Sequence, residues 1–263
     1  MMAEANIKIV VEYDGTAYAG WQIQQNQTTI QGMLVEAVEK VTGETVNLIG
    51  AGRTDAGVHA LGQVANFRID HRLDPARYRD ALNYYLPKDI RVKSSEEVPP
   101  AFHARFDAVY RRYRYLVAGD SSAIFRNQRY HCPFELNIGR LQEAAAVVEG
   151  EHDFAPFCVV ASRQESNECH VYHSRWTRIG PLLVYEVRAN RFLHSMVRSL
   201  VGSMLNLAAV DPDRNSLNLT LDRFKDIIGA TTDERVAFTA PAHGLYLVSV
   251  GYQAKDSAHE ILR

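Results

Sequence analysis

Residues 46–59 read Val46-Asn47-Leu48-Ile49-Gly50-Ala51-Gly52-Arg53-Thr54-Asp55-Ala56-Gly57-Val58-His59. The apolar run Val46–Ile49 has the composition of a short strand. It runs into three glycines that bracket Arg53-Thr54-Asp55. Glycine reaches backbone conformations closed to other residues, so this segment can turn tightly and hold polar side chains out from a strand end. Upstream, residues 7–14 (IKIVVEYD) are rich in Ile and Val and read as a strand turned by Tyr13-Asp14-Gly15. Thr28 or Thr29 can cap a helix with Ile30, Met33, Leu34, Ala37, Val38 and Val41 on one face, and Gly43 stops it. Downstream, Val64–Ile69 reads as a strand. Asp74-Pro75 opens a helix whose inner stripe is Tyr78, Ala81, Leu82 and Tyr85, and Pro87 ends it. Ile90–Val98 is again a strand. The order is β-α-β-β-α-β.

The second half repeats that rhythm. Arg111–Val117 predicts a strand and Leu141–Val148 a helix stopped at Gly150. Trp176–Ile179 and Leu182–Ala189 predict strands joined by Gly180-Pro181. Arg191–Ala209 predicts a long helix, Leu221–Ile228 a short one, and Leu245–Val250 the closing strand. Two successive ferredoxin-like (split β-α-β) halves imply an α+β fold, with one mostly antiparallel sheet and helices on one face. The halves share no sequence identity, so the duplication is one of topology. Pro99-Pro100 marks the break, and the halves are taken as residues 1–104 and 105–255, with a tail at 256–263.

The chain of 263 residues is 46% hydrophobic and 23% charged, as expected of a folded domain or two. No apolar run approaches the roughly 20 residues that span a bilayer. Met1-Met2-Ala3-Glu4-Ala5 lacks the basic-then-apolar layout of a signal peptide. Cys132, Cys158 and Cys169 are too few for a disulfide framework. A cytoplasmic location is expected. Net charge is only −2, but residues 51–140 hold 15 Lys+Arg against 10 Asp+Glu, leaving 14 against 21 elsewhere. That basic zone suits contact with a polyanion, although surface scatter produces similar imbalances.

Three features carry possible chemistry. Asp55 sits two residues from Arg53 in the glycine-flanked loop. The pair is either functional or a solvated salt bridge in a turn. Next, Phe102-His103-Ala104-Arg105-Phe106 is followed by Tyr110-Arg111-Arg112-Tyr113-Arg114-Tyr115. On a strand, Arg111, Tyr113 and Tyr115 share one face and Tyr110, Arg112 and Arg114 the other. Cations interleaved with flat rings suit RNA, because arginine binds phosphate and aromatics stack on unpaired bases. The competing reading is a half-buried strand with packed tyrosines and solvated arginines. Third, Arg198 lies at the edge of the apolar stripe of the 191–209 helix. A cation there needs an anionic partner, and Asp55 is an attractive one, since a fixed cation keeps a carboxylate ionised. An arginine facing solvent is the alternative. Gly202, one turn on, would let another backbone approach.

Cys169-His170-x-x-His173 resembles half a metal site but has no second ligand pair at suitable spacing, so no metal is expected. Gly-x-Ser-x-Gly, the phosphate loop and the dinucleotide glycine fingerprint are all missing from the sequence, and no cofactor is expected.

Taken in order, these pieces resemble the tRNA pseudouridine synthase A family over nearly the whole chain. The motifs are Tyr13-Asp14-Gly15-Thr16-x-Tyr18-x-Gly20-Trp21-Gln22, Gly52-Arg53-Thr54-Asp55-Ala56-Gly57-Val58-His59-Ala60, and Ala81-Leu82-Asn83 with Leu86-Pro87-x-Asp89-Ile90. Phe102-His103-Ala104-Arg105, Arg112-Tyr113-Arg114-Tyr115, Phe192-Leu193-His194-x-Met196-Val197-Arg198 and Gly244-Leu245-Tyr246-Leu247 complete the set. The resemblance implies the pseudouridine synthase fold and isomerisation of uridine to pseudouridine at positions 38, 39 and 40 of the tRNA anticodon stem-loop, by a homodimer. It implies Asp55 as nucleophile, attacking either the base at C6 or the sugar at C1′, with Arg198 as its charge partner. Tyr113 would stack on the target base and assist proton removal from C5, and Leu245 would line the base pocket. Arg53 is assigned to the flipped-out state of the uridine. Arg105 and the segment Phe102, His103, Ala104, Phe106 are assigned to the RNA backbone. Residues 158–173 and 118–129 depart from the family pattern, which usually carries more Arg and Thr in the first of them. Two other readings differ in what they require. A non-catalytic RNA-binding module would leave Asp55 dispensable, and a metal-dependent hydrolase built on the Cys169 cluster would be sensitive to chelators.

Overall fold

In the computed structural model, residues 4–70, 73–229 and 238–253 are described, and the expected tail at 256–263 lies outside them. In chain order the elements are β1 (Ala5–Tyr13), α1 (Ile30–Thr42), β2 (Ile49–Gly50), β3 (His59–Ile69), α2 (Tyr78–Tyr85), β4 (Ile90–Val98), β5 (Tyr110–Ala118), β6 (Tyr130–His131), α3 (Ile138–Val148), β7 (Gly150–Asp153), β8 (Glu168–Ile179), β9 (Leu182–Ala189), α4 (Met196–Ala208), α5 (Leu221–Gly229) and β10 (Leu245–Gly251). They form two compact units, Met1–Val109 with Tyr246–Arg263, and Tyr110–Leu245. The strand that closes the chain thus packs with the first unit, whereas position in the sequence places it in the second half.

In the first unit β1 is flanked by β3 and β4, both antiparallel to it. β2 pairs with Asn66 and Ala65 of β3, and β10 runs parallel to β3 at His59 and Ala60. This is the expected split β-α-β arrangement, with β2 cut to two residues. Helix α1 begins where Thr29 accepts a hydrogen bond from the Gly32 N–H, and it ends at Gly43 in the left-handed region. Its face Ile30, Leu34, Ala37, Val38 is buried. Burial of each large aliphatic side chain contributes about 1.5–3 kcal/mol, far more than the caps. Gln31 is buried beside them, a polar position with no apolar periodicity to announce it. Its amide reaches Gln22, the Ile23 N–H and the Leu48 carbonyl, tying the start of α1 to its neighbouring loops. A 3-10 turn at Pro75–Arg77 precedes α2. Only Tyr78 and Leu82 of the expected α2 stripe are buried, because the helix lasts only 8 residues. Tyr85 ends it exposed, edge-on to Tyr84 at 5.0 Å.

In the second unit the strand order is β5-β9-β8-β7, antiparallel throughout. Helices α3, α4 and α5 pack together, with α3 against β8. Trp176 of β8 is fully buried, tilted against Tyr185 of β9 at 5.1 Å, and donates its indole N–H to Met204 Sδ of α4 at 3.3 Å. Two sequence expectations are corrected here. The helix expected from Arg191 starts only at Met196, because Ser195 adopts φ 60°, a left-handed conformation that interrupts the run. The β8 strand starts at Glu168, eight residues ahead of the expected Trp176. Strand alternation then buries Cys169 and exposes His170, so the two do not converge as a metal half-site would require.

Across β5 and β9, Arg112 and Arg114 both donate to Glu186 Oε2, at 2.7 and 2.8 Å. Burial pushes the Glu186 carboxyl up, but the two guanidinium hydrogen bonds and their charges pull it down further, so the net lies below the usual 4.5. A carboxyl held low in the folded state adds stability that is complete above its unfolded value and is lost as pH falls through the folded one. Glu186→Gln is therefore expected to cost about 1–3 kcal/mol at pH 7, with the difference from wild type shrinking below about pH 4.5. Urea unfolding across that range checks it, and a deficit independent of pH would refute the coupling.

Candidate active site

The loop from Ala51 to Val58 is held on several sides by the first unit. At its base, Ala51 N–H bonds to the Val64 carbonyl at 2.8 Å, and the Gln63 amide donates to the Gly52 carbonyl at 2.9 Å. At its centre, the Thr54 carbonyl accepts the Trp21 N–H at 3.0 Å, and Thr54 Oγ1 shares a 2.8 Å hydrogen bond with the Tyr13 hydroxyl. At its far end, Val58 N–H bonds to the Asp55 carbonyl at 3.1 Å, closing a turn in which Gly57 takes φ 78°. Gly15 N–H donates to His59 Nδ1 at 3.1 Å, and Asp14 Oδ1 lies 3.1 Å from the same nitrogen. The His59 ring also stacks on Tyr246 at 4.7 Å.

Two glycines of the 13–22 motif make this approach possible. A Cβ on Gly15 would sit 2.0 Å from the Val58 carbonyl oxygen, and one on Gly20 would sit 2.6 Å from the Thr54 carbonyl oxygen. The motif is thus a cradle for the loop. It fixes the backbone on both sides of Asp55, whose side chain is half-buried, while Arg53 is exposed.

The segment after β4 lies at the base of the same loop. Ala51, Val64 and Ala104 form a small buried cluster against which Val10, Phe102, Val250 and Tyr252 pack. Two buried amides hold it. Asn6 donates to the carbonyls of Pro99 and Phe102, and Asn66 accepts the Ala104 N–H. The Ala104 carbonyl accepts the Tyr252 hydroxyl. Ala104 is 0% exposed with both backbone groups engaged, so it anchors the segment from inside. Phe102 is half-buried on Tyr252, ring centroids 5.0 Å apart. His103, Arg105 and Phe106 face outward together. Phe106 is 75% exposed, its ring 4.3 Å from that of His103, with the Arg105 guanidinium 5.6 Å from its centroid.

In the second unit, Tyr113 is 7% exposed and meets Phe192 edge-on at 5.1 Å. Arg198 projects from α4, and its Nε donates to the Ala240 carbonyl at 2.8 Å, while Ala240 N–H bonds back to the Arg198 carbonyl. Gly202 permits this: a Cβ there would lie 2.6 Å from the Phe238 carbonyl oxygen, the close backbone approach expected of it. Leu245 is buried at the start of β10. Gly244 before it packs flat on the Tyr115 ring, where a Cβ would come within 2.6 Å. The Tyr115 hydroxyl donates to the Pro241 carbonyl. Burial, chiefly, raises the Tyr115 phenol above its ordinary range. The 238–245 segment therefore orders Arg198 and Leu245 together.

The basic-aromatic strand is more internal than expected. Arg112 and Arg114 are engaged with Glu186, Arg111 donates to the Asn190 carbonyl, and Tyr115 is fully buried. Tyr13, Thr54 and His59 carry no individual signal in the sequence, although all three fall inside the stretches Tyr13–Gln22 and Gly52–Ala60. Glu186 carries none either, as a single acid within an apolar strand.

The family model for tRNA pseudouridine synthases matches residues 9–107 and 144–253. The Tyr113 strand falls in the interval between those stretches. The tRNA pseudouridine synthase A of Acetivibrio thermocellus is 40% identical over 249 residues, covering 94% of this chain and 99% of that protein. The protein of that name from Brachyspira hyodysenteriae is 39% identical over 245 residues, covering 92% and 96%. That of Ruminiclostridium cellulolyticum is 39% identical over 249 residues, covering 94% and 99%. Among solved structures, the archaeal box H/ACA sRNP Nop10-Cbf5 complex gives a TM-score of 0.33 at 12% identity, over 82% of this chain and 53% of that one, too low to add to the fold argument.

Proposed function

We propose a mechanism for a chain that belongs to the tRNA pseudouridine synthase family, and so acts as an isomerase on uridine in tRNA. Asp55 is the nucleophile. The observation that carries this reading is the cradle around the loop. Backbone and side-chain hydrogen bonds fix Thr54 and the Asp55 carbonyl, so a carboxylate is presented with few degrees of freedom. The carboxylate adds to an electrophilic carbon of the uridine, C6 of the base or C1′ of the ribose, and is released when the product forms. The N1–C1′ bond breaks, the uracil turns, and a C5–C1′ bond forms. The C5 proton leaves, N1 gains one, and the reaction is redox-neutral.

The other residues take roles around that step. Arg198 is the cationic partner of the Asp55 carboxylate. Its side chain is already ordered by Ala240, which favours a fixed role over a solvated one. Tyr113 stacks on the target base and assists departure of the C5 proton, and Leu245 forms an apolar wall of the base pocket. Extruding a uridine from a stem-loop costs a few kcal/mol, and Arg53, exposed in the loop, stabilises the flipped state. His103, Arg105 and Phe106 contact the RNA, with Phe106 offering an open ring to an unpaired base. The substrate positions are 38, 39 and 40 of the anticodon stem-loop, and the enzyme works as a cytoplasmic homodimer.

The test is a carbodiimide map of tRNA transcripts treated with the purified protein. Pseudouridine is expected at uridines 38–40 and is lost when those uridines are replaced by cytidine. Modification confined to another arm would overturn the assignment of position, and its absence from every transcript would overturn the activity.

A further inference from the structure

We infer that Tyr13 is a positioning residue for the isomerisation, acting through Thr54 on the carboxylate of Asp55. The inference rests on the reading of Asp55 as nucleophile. Tyr13 ends β1 and is 2% exposed, and Thr54 is 7% exposed. Their hydroxyls lie 2.8 Å apart across 41 residues of sequence. A hydroxyl buried this deeply has little access to water, so each has the other as its replacement for solvent. Nor is the position of Tyr13 an accident of a regular strand. The β1–β3 register shifts between Val11 and Tyr13, so that Val11 pairs with Gln63 but Tyr13 pairs with Ala60. An irregularity of this kind re-aims a side chain, and here the re-aimed side chain is the one that meets the loop. Its ring is backed by Trp21, 6.2 Å away, whose N–H holds the Thr54 carbonyl.

Thr54 is thus gripped at both its side chain and its carbonyl, and the next carbonyl, of Asp55, is gripped by Val58 N–H. With the backbone fixed on both sides, the reach of the carboxylate depends on its own two side-chain torsions. Freeing the Thr54 side chain loosens the peptide that carries Asp55. A displacement of about 1 Å at a reacting group costs up to 100-fold in rate without any loss of substrate affinity. A purely structural hydrogen bond would lower the melting temperature and leave the turnover of the folded fraction unchanged.

The experiment measures steady-state turnover on tRNA, tRNA affinity and thermal stability for Tyr13→Phe, Thr54→Val, the double variant and Thr54→Ser, with Asp55→Ala alongside. Tyr13→Phe and Thr54→Val are each expected to lower kcat about 10-fold at unchanged KM and tRNA affinity. The double variant should also lose about 10-fold, not about 100-fold, because both changes remove one hydrogen bond. Thr54→Ser, which keeps the hydroxyl, should recover most of the kcat that Thr54→Val loses. A kcat within twofold of wild type in both single variants, a loss confined to KM, or losses that multiply in the double variant would overturn the inference. Should Tyr13→Phe fold poorly, the contrast between Thr54→Val and Thr54→Ser decides alone. Turnover by Asp55→Ala would instead sink the nucleophile reading. An inactive Asp55→Ala beside fully active Tyr13 and Thr54 variants would sink only the inference about Tyr13.

Discussion

Asp55→Ala and Asp55→Asn are expected to reduce pseudouridine formation by about 10⁴-fold or more, with tRNA affinity changed less than about threefold. The amide of Asn is close to the carboxylate in size and can hydrogen-bond to the same neighbours, but it carries no charge and is a poor nucleophile. Loss in Asp55→Asn therefore isolates the charge from the shape. The loop itself should survive either change. It is anchored through the backbone of residues 51, 52, 54 and 55 and through the Thr54 hydroxyl, all of which both variants keep. Release of tritium from tRNA labelled at uridine C5 measures turnover, and filter binding measures affinity. Wild-type tritium release by Asp55→Ala would remove Asp55 from the chemistry and favour a role for the chain in RNA binding alone. An equal collapse of binding and turnover would place Asp55 in substrate recognition.

Gly15→Ala is expected to be the most damaging single methyl group in the first unit. The new Cβ would lie 2.0 Å from the Val58 carbonyl oxygen and 2.7 Å from its carbon. Both are backbone atoms, so no rotamer change relieves the clash, and either the 13–16 turn or the Asp55 loop must move. A movement of the order of 1 Å is expected to lower kcat by at least about 100-fold and to cost about 2 kcal/mol or more in stability. Gly43→Ala is the control. Gly43 has φ 76°, but a Cβ there meets nothing within 4 Å. Its expected cost is about 1 kcal/mol of backbone strain with turnover per folded molecule unchanged. Equal turnover in the two variants would mean that the 13–16 turn does not govern the loop.

Signals are legible in the sequence where the physics is local. Thr29 and Gly43 bound α1 because a cap is satisfied within three or four residues. Ile90–Val98 appears as β4 with the limits its composition suggests. The sequence is silent where a distant partner decides. Tyr85 belongs to a helical stripe by spacing, yet it is exposed, since nothing in its own helix tells where the sheet ends. Ser195 delays α4 through a left-handed conformation that serine rarely adopts alone. Arg112 and Arg114 look like free cations in a basic run, but their acid lies 74 and 72 residues away.

The same division runs through the site. The sequence by itself determined the reaction class and the identity of the loop that presents Asp55, because its glycines and motif order are written in consecutive residues. Only the tertiary structure decided how that loop is held. The grip comes from Tyr13, Trp21 and Gly15 on one side, and from Gln63 and Val64 on the other. It decided too that Ala104 is an anchor while Phe106 stands open. The physical reason is that a hydrogen bond or a close backbone approach is set by distance in space. Residues such as Tyr13 and Thr54, 41 apart in the chain, become neighbours only once the sheet has formed.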